Sequence, residues 1–337
     1  MKPVHWSIGL AFAVTLPFVT SATAQETRLF FTSMSPAGSD NSKFFNEWAR
    51  KVEADAGGGL TIEVKDGVAT LATMQNVVER VGQDVAQIGW TVHSFYPGRY
   101  RLSEVAGLPF VADESEKASV AMWRLWKTGL LNNEYQDIVP LFFGRSGNSY
   151  FHFAKPPKSI DNLEGVKIRV GGEGDVIMVK ALGMSPQSIP SQDMYVALQR
   201  GTVDALVTTF AGFPPYKLNE VTTYHFLAPL GSSTFFHFMS RKKYDTLPAN
   251  VKAAIDKNSG EAASRTWGQY LDRIVQRTEN QLRDEKHILA KPTPQQLADW
   301  EQRVGKPVID KWIETNPTGK QVLDTYKKIY TEVKTGS

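Results

Sequence analysis

Apolar residues recur along the chain with two different periods. Leu29-Phe30-Phe31 reads as a buried strand that breaks at Ser35-Pro36-Ala37-Gly38, and Phe44, Phe45, Trp48 and Val52 then share one face of a helix over Ser42 to Ala54. Gly57-Gly58-Gly59 ends that helix. Leu60 to Val64 alternates as a second strand, a helix follows from Leu71 to Val81, and Val85 to Val92 reads as a third strand. Single helices between strands exclude tight hairpins, so the rhythm predicts a mostly parallel sheet with helical crossovers. The pattern continues with strands at Ile138–Phe143, Tyr150–Ala154, Val166–Val170, Val203–Thr208 and Phe235–Met239. Helices are expected at Glu114–Lys127, Asp175–Leu182 and Gln192–Arg200, with Gly183 and Gly201 where a helix C-terminus favours a left-handed residue.

Pro248 then opens a helical spacing that runs from Val251 through Ala254, Ile255, Ala262, Trp267, Tyr270, Leu271, Ile274 and Val275 to Leu282. At ~1.5 Å per residue, this predicts a rod of about 50 Å, more than one domain of this size needs. Asn258-Ser259-Gly260 and Gly268 interrupt any heptad, so the rod reads as a brace across two bodies rather than a coiled-coil seam. Two further helices, Pro294–Thr315 and Thr318–Val333, close the chain, and no internal repeat is present.

The N-terminus differs from all of this. Lys2 supplies a positive charge, Trp6 to Val19 is apolar, and Ala22-Thr23-Ala24 has the small residues that a signal peptidase accepts, which predicts export with cleavage after Ala24. The apolar run is shorter than the ~20 residues of a membrane span, and Pro17 interrupts it.

Composition narrows the chemistry. The chain of 337 residues is 42% hydrophobic with a formal charge of +3, which fits about two globular domains and offers no basic stripe for nucleic acid. It has no cysteine, which excludes disulfides, thiol nucleophiles, Cys-type metal sites and a lipid-anchored N-terminal cysteine. No two of its histidines, His5, His93, His152, His225, His237 and His287, lie three or four apart, so neither a metal nor another cofactor is expected. His152 and His237 lie within aromatic strands, where an imidazole is a structural group. Gly144-Arg145-Ser146-Gly147-Asn148 misses the last glycine of a nucleophile elbow, and Gly172-x-Gly174-x-x-Ile177 misses the third glycine of a dinucleotide loop.

Val166-Lys167-Ile168-Arg169-Val170 sets three aliphatics on one face of a strand and two cations on the other, with Arg169 at the C-terminal end. Ligands of open α/β sheets bind beyond such ends, and a guanidinium followed by a glycine-rich turn can grip a carboxylate with two parallel hydrogen bonds. Of the two readings, the spacing alone favours a solvated surface arginine on an edge strand.

Asp161-Asn162-Leu163-Glu164-Gly165-Val166-Lys167-Ile168-Arg169-Val170, then Leu182-Gly183-Met184-Ser185-Pro186, then Met194-Tyr195-Val196-Ala197-Leu198-Gln199-Arg200-Gly201-Thr202-Val203-Asp204-Ala205 closely resemble the core of the DctP-type solute-binding proteins of tripartite ATP-independent periplasmic (TRAP) transporters. The likeness extends to Gly89-Trp90, Pro97-Gly98-Arg99-Tyr100, Leu108-Pro109-Phe110 and Asn219-Glu220-Val221, and so covers practically the whole mature chain. It implies an α/β fold of two lobes closing on a ligand, with a long helix across both. The lobes would be 25–147 plus 234–276 and 148–233 plus 277–337, after a leader over 1–24. It also implies Arg169 as the ligand-carboxylate clamp, with Ser35, Trp90, Thr91, Ser191, Thr208 and Phe210 around it.

Two departures shape the expected ligand. Leu206-Val207-Thr208 replaces the polar Gln-Glu-Asn of many relatives, with Phe210 and Phe213 close behind, and Ser149 stands where a second arginine is common, the nearest being Arg145. Phe213 fits packing within a lobe as well as a ligand wall. The expectation is therefore a monomeric periplasmic receptor, not an enzyme, that captures a small organic acid with one carboxylate and an apolar or aromatic body. It would deliver this acid to a small and a large integral membrane subunit. A receptor of an ATP-driven importer is the alternative, and a secreted α/β enzyme a more distant one.

Overall fold

The computed structural model describes residues 26–67 and 71–336, so the expected leader and its cleavage after Ala24 lie outside the described residues. The chain builds one sheet, leaves it to build another, and returns. β1 (Thr27–Ser33), β2 (Leu60–Asp66), β3 (Ile88–Val92) and β4 (Ile138–Arg145) belong to the first sheet, with α1 (Asp40–Ala56), α2 (Val77–Gly82) and α3 (Ser115–Lys127) between them. The second sheet takes β5 (Ser149–Phe153), β6 (Lys167–Val170), β7 (Ser185–Ser188), β8 (Ala205–Thr209) and β9 (Tyr224–Phe226), with α4 (Glu173–Ala181), α5 (Met194–Gln199) and α6 (Phe213–Tyr216) between them. β10 (Thr234–Ser240) re-enters the first sheet, followed by α7 (Arg241–Thr246), α8 (Ala249–Lys257) and α9 (Gly260–Asp284). The last elements are β11 (Ile288–Ala290), α10 (Pro294–Trp300), α11 (Lys306–Thr315) and α12 (Gly319–Thr335).

The first sheet has the order β2-β1-β3-β10-β4 and the second β11-β9-β5-β8-β6-β7. Neither is as parallel as the helix-strand rhythm predicts. β10 arrives from the other lobe and runs antiparallel to both β3 and β4, while β5 is antiparallel to β8 and β9. β7, β9 and β11, of four residues or fewer, were not legible as strands.

The chain crosses between lobes at Ser146–Asn148 and again at Leu227–Ser233, and the two crossings hold each other. Ser149 N donates to Gly231 O (2.7 Å), Leu230 N to Ser149 O (3.1 Å) and Ser146 N to Ser233 O (3.0 Å). Gly231 has φ +97°, and a β-carbon there would stand 2.6 Å from Gly107 O, so only glycine fits.

The expected rod is two helices. α8 stops at Lys257 and α9 begins at Gly260, which takes φ +77°, so the continuous helix is 25 residues, about 37 Å. It still serves both lobes: Trp267, Leu271 and Ile274 pack with Phe45, Trp48 and Phe142 of the first, and Leu282 packs with Leu198, Leu206 and Phe213 of the second. The C-terminal helix differs from its expected place in the second lobe. α12 lies on α3, where Tyr330 Oη accepts from Asp113 N (3.1 Å) and Tyr326 Oη donates to Ala118 O (3.4 Å).

Candidate ligand-binding cleft

Arg169 sits near the C-terminal end of β6, between β7 and β8 rather than at an edge. The alternation of this strand buries Ile168 completely and leaves Arg169 8% exposed. Its Nε donates to Ile189 O (2.8 Å), Nη1 to Val207 O (3.3 Å) and Nη2 to Ser191 Oγ (3.2 Å). A guanidinium has five N–H donors, so one remains on each terminal nitrogen, the number that a bidentate carboxylate takes. No carboxylate lies within 4.0 Å among the described residues. Burial pulls the Arg169 pKa down from its ordinary value, and the Asp175 carboxylate opposes this.

Asp175 comes from the first turn of α4 and was not singled out from the sequence. Its Oδ2 accepts from Gly171 N (2.8 Å), folding the glycine loop back onto the helix. Burial raises the Asp175 pKa above the ordinary carboxylate value, and the Gly171 N–H, Arg169 and the Gly172 N–H offset only part of this.

In the first lobe Ser35 follows the C-terminal end of β1. Its Oγ accepts from Asn41 Nδ2 (3.2 Å), and Asn41 Oδ1 accepts from Tyr270 Oη of α9 (2.5 Å). This small network, which the sequence did not indicate, holds the start of α1 to the bracing helix.

Among the described residues, none of the expected site residues other than Ser191 hydrogen-bonds to Arg169. Trp90 faces inward among Phe45, Phe235 and His237, stacked on the His237 ring at 5.9 Å and 12°. Thr91, on the opposite face of β3, is fully buried and donates to Met74 O (2.5 Å). Phe210 and Phe213 are also buried, in one cluster with Met194, Leu198, Leu206 and Leu218, where the Phe213 ring meets the His152 ring edge-on at 4.7 Å. Both rings pack the interior of the second lobe, because the chain after β8 turns inward towards β5. Thr208 and Ser149 are half-buried, and Ser149 pairs with Thr209 next to the crossing.

Arg145 is 0% exposed and tied to groups of its own. It donates to Ala106 O (3.1 Å), Ser146 O (3.1 Å), Ala112 O (2.8 Å) and Asn148 Oδ1 (2.5 Å), so it staples the crossing and does not add a second cation to the cleft.

Behind β8 runs a chain of imidazoles. His152 Nε2 faces Thr208 O (3.0 Å), His152 Nδ1 faces His225 Nδ1 (2.8 Å), His225 Nε2 faces His287 Nδ1 (3.0 Å), and His287 Nε2 lies 3.7 Å from Glu285 Oε2. The carbonyl at the inner end can only accept, so the proton sits on Nε2 of His152 and on Nδ1 of His225 and His287.

Open grooves flank the outer face of α9, one of them lined by Asp40, Lys43, Phe44, Tyr270, Arg273 and Arg277, away from Arg169. Among the described residues no group of three or more His, Cys, Asp or Glu could hold a metal ion, and no helix is long and apolar enough to cross a membrane.

The model of the bacterial extracellular solute-binding protein family 7, DctP, matches residues 31–316. The chain belongs to this family. Among solved structures, a marine metagenome TRAP solute-binding protein described as specific for aromatic acid ligands is 25% identical, with 91% of this chain and 99% of that one covered and a TM-score of 0.82; it was solved with metahydroxyphenylacetate. A TRAP solute-binding protein of Rhodoferax ferrireducens, solved with copurified benzoate, shares the fold at 23% identity and a TM-score of 0.81, covering 92% of this chain and 99% of that one. The C4-dicarboxylate-binding periplasmic protein DctP of Rhodobacter capsulatus is 23% identical over 316 residues, 90% of this chain and 92% of its own. The two-lobed α/β architecture and the TRAP-type, organic-acid-binding function expected from the strings around Arg169 are thus those of the family, whose members are receptors.

Proposed function

We propose that this family 7 protein is the periplasmic receptor of a TRAP transporter for a small organic acid with one carboxylate on an aromatic or otherwise apolar body. Arg169 clamps the carboxylate, and the loaded receptor presents its ligand to the small and large integral membrane subunits. The observation that carries this reading is the state of Arg169: buried, at a strand end, held in place by two carbonyls and a hydroxyl, with one N–H free on each terminal nitrogen and no carboxylate paired to it. Ser149 in place of a second arginine, and Arg145 committed to backbone carbonyls, support a single clamp. The relatives solved with benzoate and metahydroxyphenylacetate support an aromatic body. The placement of the two sheets supports a first lobe that holds β1–β4, β10 and the C-terminal α12, and a second built on β5–β9 and β11.

Micromolar affinity requires about 8 kcal/mol, and a charge-assisted hydrogen bond contributes about 1.5–3, so shape and apolar contact supply most of the remainder. Ligand favours the closed state only by its differential affinity for that state. The test is a thermal-shift screen of the mature protein against organic acids followed by calorimetry of Arg169→Ala and Arg169→Lys. Arg169→Ala should lose binding and keep its fold. Arg169→Lys should weaken binding at least tenfold, because a point charge does not reproduce the guanidinium fork. Unchanged affinity in Arg169→Ala refutes the clamp.

A further inference from the structure

Asp175 and Arg169 face the same small space without pairing in it. A β-carbon built on Gly171 would stand 3.4 Å from Asp175 Oδ2, 3.4 Å from Arg169 Nη1 and 3.7 Å from Nη2, yet the carboxylate and guanidinium make no contact within 4.0 Å. The glycine leaves the space open, and the Asp175 carboxylate is held at its rim by the Gly171 N–H (2.8 Å). With the Asp175 carboxylate ionised, the charges at the clamp balance before any ligand arrives. A monoanion leaves the clamp region one charge negative, and a dianion leaves it two. Among the described residues Arg145 supplies no second cation here, since it is fully buried on the carbonyls of Ala106, Ala112 and Ser146, and residue 149 is serine.

We propose that Asp175 is a specificity-determining residue, a fixed negative charge beside the Arg169 clamp that admits acids with a single carboxylate and rejects those carrying a second anionic group near the first. This rests on Arg169 being the clamp. Rejection by a like charge is a recognised route to specificity, and it acts without any further attractive contact to the preferred ligand. Across a few ångströms in partly desolvated surroundings, it is expected to discriminate on the order of tenfold or more.

The test uses pairs of probes matched in shape, so that size cancels: phthalate with 2-nitrobenzoate, where a neutral planar nitro group replaces one carboxylate, and succinate with succinamate. Calorimetry gives the affinity ratio within each pair for the wild-type protein and for Asp175→Asn, whose amide oxygen can still accept from Gly171 N–H. Asp175→Ser serves as a second neutral variant should the first fail to fold, and a melting curve checks both. The wild-type protein is expected to prefer the singly charged member of each pair it binds, and the neutral variants to lose about tenfold of that preference. A preference that is the same in wild type and neutral variants overturns the inference and leaves the clamp standing. A wild-type protein that binds none of the probes, or binds them undiminished in Arg169→Ala, overturns the proposed function and this inference with it.

Discussion

His93, His152, His225 and His237 are fully buried, and desolvation holds their pKa values at about 3, 3, 2 and 3 against an ordinary 6.5. Each imidazole stays neutral in the folded protein while its unfolded counterpart takes up a proton as the pH falls through 6.5. The unfolded state then binds more protons, and stability falls with pH. Between pH 7.5 and 5.5 each contributes a loss of about 1.4 kcal/mol, a figure that requires only a native pKa well below 5, so the four together remove about 5 kcal/mol. Glu104 opposes them: burial, reinforced by Glu134, raises its pKa to about 7 from 4.5, so it takes up its proton in the folded state over the same interval. That returns about 1–2 kcal/mol. The net loss, about 3–4 kcal/mol, is a large part of the 5–15 kcal/mol by which domains are ordinarily stable. Urea unfolding followed by tryptophan fluorescence at the two pH values measures it. His237→Phe isolates one imidazole. Among the described residues neither ring nitrogen of His237 has a hydrogen-bond partner of good geometry, the Phe142 backbone only weakly favouring the charged form, and the ring stacks on Phe142 at 3.9 Å, so a phenyl ring keeps the stacking and removes the titration. This variant should reduce the loss by about 1.4 kcal/mol. Equal stability of the wild-type protein at both pH values would refute the argument, because the imidazoles would then have to charge in the folded state as readily as in the unfolded one.

Other outcomes follow from the same structure. Long-range nitrogen–proton correlation spectra should show His152 protonated on Nε2 and His225 and His287 on Nδ1; the opposite tautomer at His225 would break the chain inferred from the carbonyl of Thr208. Arg145→Met should destabilise the fold by about 3 kcal/mol by leaving carbonyls of Ala106, Ala112 and Ser146 without their donor, read as a lower urea midpoint. At temperatures where that variant stays folded, its ligand affinity should remain within a factor of about three of wild type.

Strong local patterns were legible in the sequence, and the choice between two possible neighbours was not. The alternation Val166 to Val170 correctly put Arg169 on the face opposite Ile168, but only the pairing of β6 between β7 and β8 shows it to be enclosed rather than solvated. The apolar period from Val251 to Leu282 continues across the break at Gly260 because α8 and α9 feed one core with Val251, Ile255, Trp267 and Leu271, so periodicity alone did not reveal two helices. The pattern of α12 announces a buried face without naming its partner, which is α3. Phe210 and Trp90 read from sequence as a pocket wall and Phe213 as either wall or packing, since an aromatic residue near a strand end is apolar whether it meets a ligand or a core. Asp175 went unnoticed for a related reason: an acidic residue in the first turn of a helix is ordinarily a cap, and it does cap Gly171 here. The charge it places beside Arg169 appears only when β6 and α4 are seen together.

The position of β10 dictates an order of folding. It lies between β3 and β4 in the first sheet, yet the chain reaches Thr234–Ser240 only after passing through β5 to β9. As the protein emerges N-terminus first, β3 and β4 have no common neighbour, and each presents an unpaired edge until Ser240 is available. Such edges invite pairing with other chains, and closing so long a loop makes the step slow. The nascent first lobe is thus committed to waiting for the second, and a chain truncated between Arg145 and Thr234 should emerge as an aggregate rather than as a half-built receptor.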